Sequence, residues 1–149
     1  MNPLKVIVFQ INAEEYAINV NHVYSIEKVQ AITRVPGVSA FIKGVVNLRG
    51  VVIPVIDLKE RFGLGSTLSD DQTRLLIVSW NDLELALVVE AANDVIDIQE
   101  DNIEPTPDTV GEIHEGFLQG IVKLENRLFT MLHLEKVLNI MDKHEISHT

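Results

Sequence analysis

One strand–turn–strand unit occurs twice in this chain, and this internal repeat constrains the fold more than any other feature. Residues 41–62 read FIKGVVNLRGVVIPVIDLKERF, and residues 117–138 read FLQGIVKLENRLFTMLHLEKVL, at an offset of 76 residues. The positions that are identical in the two copies are Phe41/Phe117, Gly44/Gly120, Val46/Val122, Leu48/Leu124 and Leu58/Leu134. The chain must therefore fold into two similar units.

The residues that precede each unit repeat as well, at an offset of 69 residues. The identical positions here are Asn12/Asn81, Glu15/Glu84, Ala17/Ala86 and Val20/Val89. The difference between the two offsets places an insertion, rich in loop-forming residues, within residues 99–115. We therefore predict one domain over residues 1–149, with a first barrel repeat at about residues 5–62, a polar connection at 63–73, a second barrel repeat at 74–133, and a C-terminal helix and tail at 134–149.

Short runs rich in valine, isoleucine and leucine, separated by glycine, asparagine, aspartate and proline, predict β-strands. These runs cover residues 5–11, 16–20, 44–48, 51–58, 75–80, 83–89, 120–124 and 128–134. Helical patterns are confined to residues 58–62 and 134–141. Because no long crossover helices separate the strands, the pattern predicts an all-β protein made of two small barrel-like subdomains that share a core.

Composition excludes several classes of function. The net charge of −10, from 12 basic and 22 acidic residues, repels the phosphate backbone of nucleic acids. The absence of cysteine excludes disulfide frameworks, thiolate metal sites and cysteine nucleophiles, and it fits a reducing cytosol. No segment approaches the roughly 20 apolar residues of a membrane span. We therefore expect neither nucleic-acid binding nor direct insertion into a membrane.

The sequence NLRG at residues 47–50 lies between two apolar runs and is predicted to form a hairpin turn, in which Gly50 has a positive φ. In the second copy Gly50 aligns with Asn126, which also tolerates a left-handed backbone, whereas Arg49 aligns with Glu125. The repeated turn therefore does not itself require arginine. A guanidinium on an exposed tip suits a partner's carboxylate or carbonyl, so Arg49 is the strongest candidate functional residue.

The stretch FIKGVVNLRGVVIPVIDL at residues 41–58 closely resembles the signature of the CheW family, and the resemblance covers almost the whole chain. It implies two SH3-like five-stranded β-barrels around a shared hydrophobic core, with short helical turns and a short C-terminal helix. It also implies a non-catalytic adaptor that joins the regulatory domain of a CheA-type histidine kinase to the cytoplasmic tip of methyl-accepting chemotaxis receptors. The implied location is cytoplasmic, at the inner face of the membrane through receptor arrays.

The same resemblance implies roles for individual residues. The turn associated with receptor and kinase coupling comprises Asn47, Leu48, Arg49 and Gly50. The walls of a receptor groove comprise Val23, Ile26 and Ala92. Kinase docking is expected around Gly44 and Val45. In two places the chain departs from the family pattern: an acidic residue is missing between Val23 and Ile26, where Glu27 is the candidate replacement, and the second groove wall carries a small alanine at Ala92.

No motif predicts an enzyme, because phosphate loops, nucleophile elbows and metalloprotease signatures are all absent from the sequence. Asp57 is interpreted as a helix cap rather than a catalytic acid. His144 and His148 have a spacing that permits metal binding on a helix, but a frayed polar tail is the preferred interpretation. We therefore expect no catalysis, no cofactor and no metal.

Two other functions remain open. The chain can be a related coupling module, such as the adaptor of a receptor array outside chemotaxis. Alternatively, it is a small β-barrel protein that binds a ligand in an apolar crevice between its halves, with Arg49 as the anchor for an anionic group.

Overall fold

A computed structural model of the chain describes residues 3–105 and 117–139. The strands are β1 (Pro3–Ile11), β2 (Glu14–Asn19), β3 (Val23–Lys28), β4 (Ile42–Leu48), β5 (Val51–Asp57), β6 (Arg74–Trp80), β7 (Leu83–Val89), β8 (Ala91–Gln99), β9 (Ile103–Glu104), β10 (Leu118–Leu124) and β11 (Arg127–Leu132). The helices are α1 (Leu58–Arg61) and α2 (Leu134–Asn139), with short 3-10 turns at Val20–His22 and Glu100–Asn102. The all-β class is confirmed. The end of the predicted C-terminal helix, residues 140 and 141, and much of the predicted insertion lie outside the described residues.

The strands form two sheets. In the six-stranded sheet the order is β8-β1-β2-β11-β10-β9, and in the five-stranded sheet it is β3-β6-β7-β5-β4. Neighbouring strands are antiparallel except for two pairs, β2 with β11 and β5 with β7. Both parallel pairs lie where a strand of one sequence repeat meets a strand of the other.

The sheets do not coincide with the two blocks predicted from the repeat, residues 5–62 and 74–133. The N-terminal hairpin β1–β2 pairs with β8 and β11, which come from the second block, whereas β3, β4 and β5 pair with β6 and β7. Each sheet therefore combines strands from both predicted blocks. Similarity between two sequence segments indicates that they have the same local structure. It does not determine which strands pair, because strand pairing depends on contacts between residues that are distant in the sequence.

The exchange between the repeats is reciprocal. Val55 of β5 pairs with Ala86 of β7, and the equivalent residue Met131 of β11 pairs with Ala17 of β2. The second strand of each strand–turn–strand unit thus pairs with a strand from the other half of the sequence. The duplicated sequence describes two halves that complete each other, related by an approximate two-fold axis.

Each sheet is closed by the strand that forms its edge. After β3 the chain continues to Thr33, which pairs with Val45 of the opposite edge strand β4 through hydrogen bonds of 2.8 and 2.9 Å. After β8 the chain continues through a 3-10 turn into β9, which pairs with β10 and so forms the opposite edge of the same sheet. In both sheets one chain segment therefore runs along both edges, an arrangement consistent with the predicted pair of SH3-like barrels.

A glycine at the same position of each repeat, Gly44 and Gly120, allows another backbone segment to approach the strand closely. At Gly44, which has a φ of +141°, an added Cβ would overlap the Thr33 carbonyl oxygen and lie 2.9 Å from the Arg34 Cα. At Gly120 the added atom would lie 2.5 Å from the Glu104 carbonyl oxygen. Both glycines are thus required by the close approach of another backbone segment.

Buried apolar side chains form three clusters. The largest, here called the central core, lies between the sheets and takes residues from both, with Phe9, Ile18 and Leu132 from one and Ile56, Leu76 and Leu87 from the other. A smaller cluster belongs to the five-stranded sheet and another to the six-stranded sheet. The predicted shared hydrophobic core is therefore confirmed, and it holds the two sheets together by apolar burial.

Tyr16 lies in a row of aromatic rings inside the central core. Its ring centroid is 6.3 Å from that of Phe9 and 5.6 Å from that of Phe62, which in turn lies 5.9 Å from Phe117. The side chain is almost fully buried. Burial, and to a lesser extent the charge of Glu14, raises the pKa of the Tyr16 phenol well above its ordinary value.

This shift predicts a loss of stability at high pH. The folded state favours the neutral phenol, so the stabilisation is present below the ordinary tyrosine pKa of 10.0 and is lost as the pH rises above it, by about 1.4 kcal/mol per pH unit. Denaturant unfolding measured from about pH 9 to 12 should show this loss, and Tyr16→Phe should reduce its slope. Tyr24→Phe, at an exposed position, is the matched control and should keep the wild-type slope. Equal slopes for all three proteins would contradict the prediction.

Candidate functional site

The turn at residues 47–50 is a tight two-residue hairpin. Leu48 pairs with Val51, and the two residues between them both have positive φ, 53° at Arg49 and 85° at Gly50. The Asn47 side-chain oxygen accepts a hydrogen bond of 2.9 Å from the Gly50 amide. This geometry is that of a type I′ turn, which matches the twist of the strands that it joins. The predicted positive φ at Gly50 is confirmed.

The four residues of the turn have different physical roles. Asn47 and Gly50 build the backbone, and Leu48 is buried in the cluster of the five-stranded sheet. The side chain of Arg49 is 82% exposed. The tight turn therefore holds the backbone of Arg49 in one conformation and exposes its guanidinium to solvent.

The second copy of the turn differs from the prediction. Leu124 still pairs with Arg127 across two residues, so the hairpin is retained. Neither Glu125 nor Asn126 has a positive φ, so the left-handed backbone expected at Asn126 is wrong. The backbone shape of the Arg49 turn is thus not imposed by the repeat.

Among the described residues, Arg49 forms an ion pair with Glu27. Its Nη2 atom lies 3.4 Å from the Oε2 atom of Glu27 on β3. This distance exceeds the roughly 2.7–2.9 Å of a strong charge-assisted hydrogen bond, and a pair this exposed contributes at most about 1 kcal/mol. Glu27 therefore orients the guanidinium loosely and leaves most of its donors available.

The three predicted groove residues lie on one face of the sheets. Val23 pairs with Val78 and Ile26 with Leu76, and both of these partners belong to the central core. Ala92, which pairs with Phe9, packs against the same core from the other sheet. Residues three apart in a regular strand point to opposite faces, but the register shift between Val23 and Ser25 brings Val23 and Ile26 to the same side.

Tyr24 lies beside the Arg49 turn and was missed by sequence reasoning. The register shift in β3 leaves Tyr24 opposite no residue of β6, and its side chain is 69% exposed. Together with Arg49 and Val51, Tyr24 lines a cavity of about 260 Å³ beside the turn. A large apolar ring next to an exposed cation is typical of a protein-binding surface. A lone tyrosine in an alternating strand gives no local signal of this exposure.

Gly44 and Val45, the residues predicted for kinase docking, lie under another segment of the chain. The backbone N–H and C=O of Val45 are bonded to Thr33, and Gly44 leaves room for that crossing. A cavity of about 450 Å³ lies between this crossing segment and residues 67–69, lined among others by Ile32, Val35, Val38, Ile42, Val88 and Thr67. A partner that docks here must therefore contact the crossing segment rather than the edge of β4.

Asp57 caps α1, as predicted. Its Oδ1 atom accepts a hydrogen bond of 3.1 Å from the Lys59 amide and one of 2.7 Å from the Thr67 hydroxyl, and its Oδ2 atom accepts one of 2.8 Å from the Thr67 amide. The side chain is almost completely buried. Both oxygens are thus committed to holding the loop after α1, and this loop is held further by Ser66, whose hydroxyl donates to Glu60.

Across residues 3–105 and 117–139, no three histidine, aspartate or glutamate side chains are grouped to hold a metal ion. No helix in the same ranges is long and apolar enough to cross a membrane. His144 and His148 lie outside the described residues.

The fold and the exposed turn together define the chain as a two-sheet protein-interaction module. A family model described as a CheW-like domain matches residues 5–141. The chain therefore belongs to the CheW family, as the resemblance of residues 41–58 predicts.

Relatives and a solved structure agree with this assignment. The chemotaxis protein CheW of Bacillus subtilis (strain 168) is 47% identical over 91% of this chain and 86% of its own length. The chemotaxis protein CheW of Helicobacter pylori is 36% identical over 91% of this chain and 81% of its own. The crystal structure of the scaffolding protein TtCheW from Thermoanaerobacter tengcongensis matches 96% of this chain and 92% of its own with a TM-score of 0.84 and 36% identity.

Proposed function

We propose that this chain is a non-catalytic scaffold of chemotaxis signalling, which links the cytoplasmic tip of methyl-accepting receptors to the regulatory domain of a CheA-type histidine kinase. It acts in the cytoplasm, at the inner face of the membrane, through the receptor array. The observation that carries the proposal is the exposed Arg49 on a rigid turn, in a chain of the CheW family. The names of its relatives support the role in chemotaxis.

The apolar face between the sheets is the proposed receptor contact. Val23 and Ile26 stand on one side of it and Ala92 on the other, and Ile26 is 41% exposed. An amphipathic receptor helix with an apolar stripe fits a surface of this kind, and Arg49 adds a polar contact at its rim. Kinase docking around Gly44 and Val45 remains part of the proposal, with the crossing segment at Thr33 as its outer surface.

The test is co-sedimentation of the chain with a receptor cytoplasmic fragment and a CheA-type kinase. Wild type should carry kinase down with receptor, and Arg49→Glu should reduce the amount by about tenfold, equivalent to about 1.4 kcal/mol of binding free energy. Lys5→Glu is the matched control, because it reverses a charge on an exposed ion pair of the other sheet and should bind like wild type. Equal recovery with Arg49→Glu would remove this residue from the coupling site.

A double reversal separates contact with a partner from contact within the chain. Glu27→Lys combined with Arg49→Glu restores the internal ion pair in the opposite direction. If Arg49 contacts a partner, the double variant should remain as defective as Arg49→Glu. Recovery of wild-type coupling would instead assign the effect to the internal pair alone.

The ligand-binding alternative has one observation in its favour, the cavity of about 450 Å³. This cavity lies beside the five-stranded sheet and not between the halves, where the alternative placed its crevice. Three charged side chains line it, Arg34, Lys43 and Asp57, and of these Lys43 is already paired with Glu60 and Asp57 with Thr67. The cavity therefore gives weaker support than the exposed turn.

A further inference from the structure

Arg61 occupies a special place at the end of α1. Its guanidinium carbon lies 5.1 Å from the ring centre of Phe41 and 4.6 Å from that of Phe117, so the cation contacts two aromatic rings. Its Nε atom donates a hydrogen bond of 2.9 Å to the carbonyl oxygen of Val137 in α2. One side chain therefore joins three separate segments of the chain.

These partners are not independent of one another, because they are related by the internal repeat. Phe41 and Phe117 are equivalent positions in the two copies, and Val137 is the position equivalent to Arg61 itself. Arg61 thus lies on the approximate two-fold axis between the halves, where it contacts both copies of one residue and its own counterpart. The counterpart, Val137, is a small aliphatic residue.

Arginine is energetically unfavourable at this position. Its Nη2 atom is buried and has no hydrogen-bond partner among the described residues. Burial also lowers the pKa of the Arg61 guanidinium below its ordinary value. An aliphatic residue, as at Val137, would fill space without either penalty. Packing alone therefore does not account for the guanidinium.

The contacts of Arg61 depend on the relative orientation of the two sheets, whereas apolar packing in the central core depends on it only weakly. Apolar burial between two sheets resists their separation, but it depends little on their relative rotation or sliding. A hydrogen bond to a backbone carbonyl and two ring contacts depend strongly on geometry. Phe41 precedes β4 of the five-stranded sheet, and Phe117 precedes β10 of the six-stranded sheet. The guanidinium therefore links the two sheets by contacts that hold only in one relative orientation.

We propose that Arg61 is a positioning residue that fixes the orientation of the two sheets and thereby keeps the two walls of the apolar face between them at a constant distance. One wall, with Val23 and Ile26, belongs to the five-stranded sheet, and the other, with Ala92, belongs to the six-stranded sheet. The role of this face in receptor binding rests on the proposed function; the effect on sheet orientation does not.

Spin-label distances test the proposal directly, since the chain contains no cysteine and engineered pairs label cleanly. The inter-sheet pair is Val52→Cys with Leu128→Cys, both at exposed positions. In the free protein, Arg61→Val should shift or broaden the inter-sheet distance distribution by about 2 Å, the size of a slide between packed elements. A pair within one sheet, Val52→Cys with Lys28→Cys, is the control and should not change.

Arg61→Lys keeps a cation near the rings but lacks the planar fork and its donor to Val137, so it should broaden the same distribution less than Arg61→Val. If Arg61→Val does not fold, the distance distribution of Arg61→Lys tests the proposal. An inter-sheet distribution identical to wild type in the folded variants would overturn the proposal. The measurement needs neither receptor nor kinase, so its outcome is independent of the coupling assay. A changed distance combined with undiminished receptor binding would overturn only the link to the receptor face.

Discussion

Gly44→Ala is expected to destabilise the protein by about 3 kcal/mol. The added methyl group would overlap the Thr33 carbonyl, and the φ of +141° is strained for any residue with a Cβ. To relieve the overlap, the crossing segment must move away from β4 and give up its two hydrogen bonds with Val45. Denaturant unfolding, with the midpoint and slope measured separately, gives the change in the free energy of unfolding.

Gly50→Ala is the matched control for this prediction. Gly50 also has a positive φ, of 85°, but an added Cβ there meets no atom within 4 Å. Its cost should be that of the strained backbone alone, about 1 kcal/mol. Equal losses at the two positions would mean that the crossing at Gly44 contributes nothing. Any loss of kinase docking in Gly44→Ala must be judged against this structural effect.

Asp57→Ala is the second change with a large expected effect, a loss of about 3 kcal/mol in the free energy of unfolding. It removes the acceptor of three hydrogen bonds, one from the Lys59 amide and two from Thr67. Because the site is buried, water does not readily replace the lost acceptor. The loop after α1 should open locally, and amide hydrogen exchange at Thr67 should become faster.

Asp57→Asn separates the hydrogen bonds from the charge. Its amide oxygen can take the place of Oδ1, which accepts from the Lys59 amide and the Thr67 hydroxyl, while only the bond at Oδ2 is lost. The loss should be about 1 kcal/mol. An asparagine variant as unstable as the alanine variant would show that the charge, and not the set of acceptors, holds the loop.

The strands found from sequence and the strands missed differ in their position within the sheets. Runs of consecutive apolar residues predicted the interior strands β1, β6 and β7 because both faces of these strands are largely buried. The strands absent from the predicted runs are β3, β8 and the two-residue β9. Each is an edge strand with a single paired neighbour, and β3 alternates half-buried and exposed side chains. Edge strands need fewer apolar residues, so their local signal is weaker.

The candidate site was predicted in part. The exposed Arg49 and the positive φ of Gly50 follow from a local motif, because a two-residue hairpin has few backbone solutions. The contact of Glu27 with Arg49 was not predicted: the family pattern gave Glu27 only as the candidate replacement for a missing acidic residue, and the structure places its Oε2 atom 3.4 Å from the Arg49 Nη2 atom. The exposure of Tyr24 depends on a register shift in β3, which is set by its pairing with β6 and is invisible in the strand's own sequence.

The exchange of strands between the repeats also governs the order in which a newly made chain can fold. All strands of the five-stranded sheet lie in one continuous stretch, so this sheet has its full set of partners once Val89 has left the ribosome. The hairpin β1–β2 emerges first, yet its two outer neighbours, β8 and β11, emerge much later. During that interval the nascent hairpin carries two unpaired edges, which are templates for intermolecular pairing. A translation product that stops before β8 is therefore a hazard for aggregation, although its five-stranded sheet is complete.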